Sequence, residues 1–170
     1  MNAKWLKTVF WLVLWVVGLS GISKGDFQGI DDVTQGLPPD ASAALEGVLQ
    51  RLSRHAGYPM SLQQLLQQWR NFVVRVEQGY ADSIYEYMNE LSVRDLLEEI
   101  LRSVPHGLRK ALAQWITPWD KRFAEATREI GQAMLPAVEQ EAPLWWWFRI
   151  PKNPGEELEE DLRSEGLLEG

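Results

Sequence analysis

The side chains that most often carry catalysis or bind metals are few and scattered in this sequence. His55 and His106 are the two histidines, and each lies beside a predicted helix end with a glycine close behind. That setting favours capping or solvent exposure over a metal or base role. Glu98 and Glu99 are adjacent on a predicted helix, where neighbouring side chains do not converge on one substrate atom. None of these four residues is therefore expected to carry a reaction.

Sequence motifs for catalysis and cofactor binding are also missing. Glu139 and Glu141 are two positions apart, and Asp31 and Asp32 lack the spacing of a calcium loop. The sequence has no histidine pair at metal-ligand spacing, no glycine-rich phosphate loop and no Gly-x-Ser-x-Gly elbow. It has no cysteine, which excludes disulfides and thiolate sites. We expect a protein that is not an enzyme and that holds no metal or cofactor.

An apolar run near the N-terminus predicts a membrane anchor. Lys4 and Lys7 precede residues 8–22, which carry no charge. As a helix, residues 5–22 would measure about 27 Å, close to the roughly 30 Å of a hydrocarbon core. Residues 1–23 are therefore predicted to be a transmembrane signal-anchor. The side chains expected to contact lipid or neighbouring helices are Trp5, Phe10, Trp11, Leu14, Trp15 and Val17.

A cleaved secretory signal is the alternative for the same residues, because a basic start and an apolar middle suit both structures. Small residues at positions 18, 20, 21 and 23 offer a peptidase site, whereas the missing Ala-x-Ala and the bulky tryptophans disfavour one. With a retained anchor, the lysines predict a cytoplasmic N-terminus and a domain outside the cytoplasm, on the periplasmic face of an inner membrane. With cleavage, the protein would be secreted or periplasmic.

The net charge of −7 describes mainly the C-terminal end, where residues 156–170 contain seven acids and one arginine. The rest of the chain is nearly neutral, so no nucleic-acid partner is expected. The densest basic region has acids interleaved with it and is interpreted as a solvated, mixed-charge helix face. Its cations are Arg109, Lys110, Lys121, Arg122 and Arg128.

Apolar residues recur at spacings of three and four along most of residues 40–150, which predicts an all-α domain of about five short to medium helices. The glycines and prolines of residues 24–39 indicate a linker. Asp40 is the expected N-cap of the first helix. A second helix is expected to run from Ser61 to residue 91 as a single unit that can kink at Gly79, with a division into two helices at Gly79 as the alternative.

Two further boundaries follow from capping signals. Ser92 and Asp95 resemble a capping box that would open a third helix. Thr117 and Pro118 form an N-cap and first-turn pair, which predicts that a short helix ends at residue 116 and that a new one follows.

Residues 144–150 (LWWWFRI) are too short to span a bilayer. Three interpretations remain open: closure of the helical core, insertion at a membrane interface, or a docking patch for a protein partner. The last two need exposed side chains. The candidate contacts are Trp145, Trp146, Trp147, Phe148 and Arg149.

The acidic tail, residues 151–170, is expected to be flexible or to order as an amphipathic helix on a partner. Its candidate anchors are Leu158, Leu162 and Leu167. The pattern as a whole predicts a membrane-anchored, non-catalytic accessory or interaction subunit of a larger membrane assembly. Contact with lipid and formation of a homo-oligomer are both compatible with this prediction. The alternatives are a secreted helical module that binds a lipid or another apolar ligand, and a peripheral lipid-binding domain that uses residues 145–148.

Overall fold

Helices dominate the part of the chain that the computed structural model describes, namely residues 34, 36–134 and 144–168. The helices are α1 (Pro39–Ala56), α2 (Leu62–Glu77), α3 (Ile84–Ser103), α4 (His106–Ala126) and α5 (Glu156–Ser164). A 3₁₀ helix spans Trp145–Phe148, and strands β1 (Thr127–Glu129) and β2 (Arg149–Pro151) form an antiparallel ribbon. The predicted all-α class is confirmed, whereas the ribbon was not expected.

None of the helices among the described residues is long and apolar enough to cross a membrane. The predicted anchor, residues 1–23, and most of the predicted linker lie outside the described residues.

Local capping explains the first helix boundaries. Gly57 ends α1 with a left-handed φ of +83°, and its N–H donates to the carbonyl of Ser53 at 2.9 Å. Ser61 and Gln64 form a reciprocal capping box at the start of α2, with both hydrogen bonds at 3.2 Å. The prediction that Asp40 caps α1 is wrong, because the helix begins at Pro39 and Asp40 lies in its first turn.

The predicted continuous helix from Ser61 to residue 91 is two helices. Gly79 has a φ of +92°, a conformation that a right-handed helix cannot continue, and Ser83 caps α3 by accepting from the N–H of Glu86. Ser92, the predicted cap, is inside α3, where its hydroxyl donates to the carbonyl of Asn89 at 2.6 Å. The apolar pattern hid the break because residues on both sides of it are buried.

Helix α4 continues where two helices were predicted. Pro118 lies inside the helix, on its exposed side. A proline has no N–H, so one backbone hydrogen bond is lost, but the carbonyl that would have accepted it is not buried in the core. Ile116 and Phe123, on either side of the proline, are 2% and 0% exposed. Burial of this continuous inner face outweighs the local helix-breaking signal. The helix ends at Ala126, where β1 and the following turn begin.

The core is built around α2, which packs against both α3 and α4, while α1 packs on α3. Aromatic rings occupy its centre. The ring of Phe72 lies 5.2 Å from Tyr87 and 5.7 Å from both Tyr80 and Phe123. Trp69 lies 5.2 Å from Phe123. These contacts join α2, α3 and α4 before any polar interaction is considered.

Helix α5 packs on the chain's own core, which corrects the expectation of a flexible or partner-ordered tail for Glu156–Ser164. Leu158 and Leu162 are both 0% exposed. Asp161 accepts a hydrogen bond from the N–H of Ile84 at 2.9 Å and so satisfies the start of α3. Gly155 approaches the α2–α3 loop so closely that a Cβ would lie 2.6 Å from the Cα of Ala81. Residues 151–168 are therefore part of the helical domain.

Candidate functional site

The tryptophan run is fastened to α3 by one carboxylate. Asp95 accepts hydrogen bonds from the indole N–H of Trp146 at 2.8 Å and from that of Trp147 at 3.0 Å. Both indoles are 2% exposed. In the 3₁₀ helix, successive side chains point in different directions. Two of the three tryptophans therefore enter the core, while Trp145 is 41% exposed.

A second carboxylate lies in the same polar layer. Asp120 of α4 accepts from both Nε and Nη2 of Arg94, at 3.0 and 2.9 Å, and from the indole of Trp69 at 3.0 Å. The guanidinium of Arg94 lies 4.4 Å from the ring centre of Trp146 and also pairs with Glu98. We name this set the indole–carboxylate network; its members are Trp69, Arg94, Asp95, Asp120, Trp146 and Trp147.

Burial changes the proton affinity of both carboxylates. It raises the pKa of Asp95 from 3.8 to about 6, although hydrogen bonds from Trp147 and Trp146 and the charge of Arg94 act in the opposite direction. Burial also raises the pKa of Asp120, against hydrogen bonds from Arg94 and Trp69. Each charge is stabilised by donors from another element, so the network ties α2, α3, α4 and the 3₁₀ helix together.

A separate polar cluster lies at the other end of α3. Arg75 of α2 forms ion pairs with Asp82 and Glu90, and its guanidinium lies 4.7 Å from the ring centre of Tyr80. Burial raises the pKa of Glu90 to about 7, partly offset by Arg75. Among the described residues, Oε2 of Glu90 and the hydroxyl of Tyr80 are buried without a hydrogen-bond partner. This cluster holds the most perturbed carboxylate that the structure offers for proton exchange.

The structure separates the predicted contact residues of the aromatic run. Trp146 and Trp147 belong to the core, so exposure of these two to a partner or to lipid is wrong and core closure is correct for them. Phe148 is half-buried, and Trp145 packs 6.0 Å from Phe123 at the surface. Arg149 donates to Thr127 Oγ1 at 2.8 Å and to the carbonyl of Ala124 at 2.7 Å, so it closes the end of α4.

The remaining predicted residues fall in three groups. Leu158 and Leu162 are buried in the chain's own core and are not free anchors, and Leu167 is half-buried against it. His55 and His106 are exposed. Outside the described residues lie Trp5, Phe10, Trp11, Leu14, Trp15 and Val17, as well as the acidic pairs at positions 31–32 and 139–141.

No protein-family model, curated protein or solved structure matches this chain.

Sequence reasoning missed Arg94 as a buried cation and Asp95 and Glu90 as half-buried carboxylates. A usable signal was present, because Tyr87, Leu91 and Leu97 define the inner face of α3 and Arg94 lies on that same face at helical spacing. A charged residue inside an apolar stripe requires a buried partner. In residues 34–134 and 144–168, no group of three His, Asp or Glu side chains is placed to hold a metal ion.

Proposed function

We propose that this protein is a membrane-anchored, non-catalytic subunit whose helical domain, outside the cytoplasm, binds other components of a membrane assembly. The observation that carries the proposal is the apolar stretch of residues 5–22, about 27 Å long as a helix, in which Lys7 is the single charge and lies near the N-terminal end. In the described domain, no helix could serve as the membrane anchor instead, because the apolar residues of these helices pack in the domain's own core.

The geometry of the domain supports a structural rather than a chemical role for its buried polar groups. Asp95 and Asp120 accept hydrogen bonds from three indoles and one guanidinium of the same chain. A general acid or base has to reach a substrate atom, and these carboxylates are already engaged by donors on neighbouring helices. The network suits a rigid platform that presents its surface to a partner.

Extraction of the full-length protein from native membranes tests this proposal. The protein should resist alkaline washing and migrate in a native gel far above its 19.5 kDa chain mass. Leu14→Asp places a charge at the centre of the run, where it costs about 3 kcal/mol, and should release the protein from the membrane. Gln28→Asp, in the linker, is the matched control and should not. A lone monomer that brings no other protein from mild detergent would refute the subunit role.

A further inference from the structure

The C-terminal ends of α1 and α3 and the first turn of α4 meet at one end of the domain. Arg51 lies 3.3 Å from the hydroxyl of Ser103, the last residue of α3. Arg109, in the first turn of α4, donates to the carbonyl of Arg102 at 3.4 Å. These contacts bring together Arg51, Arg102 and Arg109, which the sequence spreads over about 60 positions, and Arg54 and Lys110 lie within one turn of Arg51 and Arg109 on α1 and α4. We name this surface the basic pole; it consists of Arg51, Arg54, Arg102, Arg109 and Lys110, all exposed.

Carboxylates neutralise only part of this charge. Glu99 pairs with Arg51 at 3.5 Å, and Glu98 pairs with Arg102 at 3.1 Å while it also contacts the buried Arg94. Because Asp120 also pairs with Arg94, Glu98 and Glu99 are, among the described residues, the two carboxylates paired with cations of the five-residue basic pole. The excess positive charge faces solvent.

Structural hydrogen bonds explain part of the arrangement, because Arg109 donates to the carbonyls of Arg102 and Val104 at the C-terminal end of α3. The helix dipole favours cations near a helix C-terminus, so the arginines at the C-terminal ends of α1 and α3 are stabilised there. Arg109 and Lys110 lie instead in the first two turns of α4, where the dipole is positive, and that first turn carries no acid. A positive helix end with added cations is unfavourable by itself and becomes favourable when an anion is bound.

The opposite end of α3, about 30 Å away, has the reverse charge. Helix α5 is fixed there by the bond from the N–H of Ile84 to Asp161, and it presents exposed acids to solvent. These acids are Glu156, Glu157, Glu160 and Glu165. The domain thus has a positive end and a negative end on one rigid axis.

We propose that the basic pole docks on the anionic phospholipid headgroups of the membrane that holds the chain, with α5 turned away from the surface. This inference builds on the proposed anchor, which keeps the domain beside a bilayer. Each Lys or Arg brought to an anionic surface strengthens binding about fivefold, and repulsion of the acidic helix favours the same orientation.

The test uses the full-length chain in lipid nanodiscs, with and without phosphatidylglycerol in phosphatidylcholine. The chain has no cysteine, so a fluorophore can be placed at Gly107→Cys, where an added Cβ meets open space, or at Glu160→Cys on α5. Headgroup nitroxides should quench the label at position 107 several-fold more than the label at position 160. The difference should disappear without phosphatidylglycerol or in high salt.

Charge reversal supplies the matched control. Arg54→Glu with Lys110→Glu should abolish the quenching difference, whereas Lys121→Glu with Arg128→Glu, an equal reversal elsewhere, should preserve it. Equal quenching of the two labels in anionic discs would overturn the proposal. So would a cross-link between positions 107 and 160 of two copies, since the acidic helix of a second copy would then occupy the pole.

Failure of the anchor would be seen separately, as a chain that does not enter the discs. Sedimentation of that chain with vesicles then tests whether the basic pole binds anionic lipid. Binding to phosphatidylglycerol vesicles that the Arg54→Glu, Lys110→Glu variant abolishes would uphold it, and no binding would overturn it.

Discussion

Replacing Asp95 by Asn should change how the stability of the domain depends on pH. Burial raises the folded-state pKa of Asp95 from 3.8 to about 6. The folded state therefore binds more protons than the unfolded state between these values, and stability falls as the pH rises through this window. The shift of about two units corresponds to about 3 kcal/mol. The asparagine amide keeps an acceptor oxygen for the indoles and removes the charge, so this loss should be absent from the variant.

Urea unfolding at pH 4 and pH 7.5, followed by tryptophan fluorescence, measures the effect. The wild-type protein should lose stability between the two pH values, and Asp95→Asn should lose less by about 2 kcal/mol, because part of the unfolded-state carboxylate is already ionised at pH 4. Glu90, whose folded pKa is about 7, acts in the same direction between pH 4.5 and 7 and is unchanged in both proteins. Glu125→Gln removes an exposed carboxylate and should retain the wild-type difference. If Asp95→Asn retains it as well, the reasoning from the network is refuted.

Three other substitutions test the packing of the domain. Asp120→Ala leaves the guanidinium of Arg94 buried with fewer acceptors, and urea unfolding should show a loss of about 3 kcal/mol or more. Gly155→Ala drives a Cβ to within 2.6 Å of the α2–α3 loop, so hydrogen exchange of α5 should accelerate strongly. Trp147→Ser should cost about 3 kcal/mol or more, because it empties a core position, while Trp145→Ser at the surface should cost less than about 1 kcal/mol.

Each of the three has an outcome that would contradict it. Unchanged stability of the Asp120 variant would show that the ion pair is replaceable by solvent. Wild-type exchange rates in α5 after the Gly155 change would show that the close approach relaxes without cost, and Gly107→Ala, in open space, is its control. Equal losses for the two tryptophan variants would contradict their different burial.

The helical stripes and the strongest caps could be predicted from the sequence. Leu45, Val48 and Leu52 recur at spacings of three and four in the sequence and are buried on one face of α1. Ser61 was predicted to begin the second helix, and it caps α2 through local backbone hydrogen bonds. Interactions within one or two helical turns can be predicted from a sequence because both partners are close together in it.

Boundaries decided by tertiary contacts could not be predicted. Pro118 is a local stop signal that the packing of α4 overrides, and Gly79 is a local ambiguity that the docking of Tyr80 against Phe72 settles. Asp95 was assigned to a cap because Ser92 is near it in sequence. Its actual donors lie about 50 residues away, in the tryptophan run.

The charged surfaces show the same limit at larger scale. In sequence order, Arg109 and Lys110 merge with the cations and acids of the later part of α4 and predict a mixed-charge face. In the fold, Lys121 pairs with Glu125 and Arg122 pairs with Glu77, while the earlier two join cations from α1 and α3. Only the three-dimensional arrangement separates the paired charges from the unneutralised ones.

The central proposal, that the chain is retained in a membrane by its N-terminal run, is tested most directly by the intact mass of the protein extracted from alkaline-washed native membranes. The account predicts the mass of the chain that retains residues 1–23. A mass that lacks about 23 residues, recovered from the soluble fraction, would contradict it.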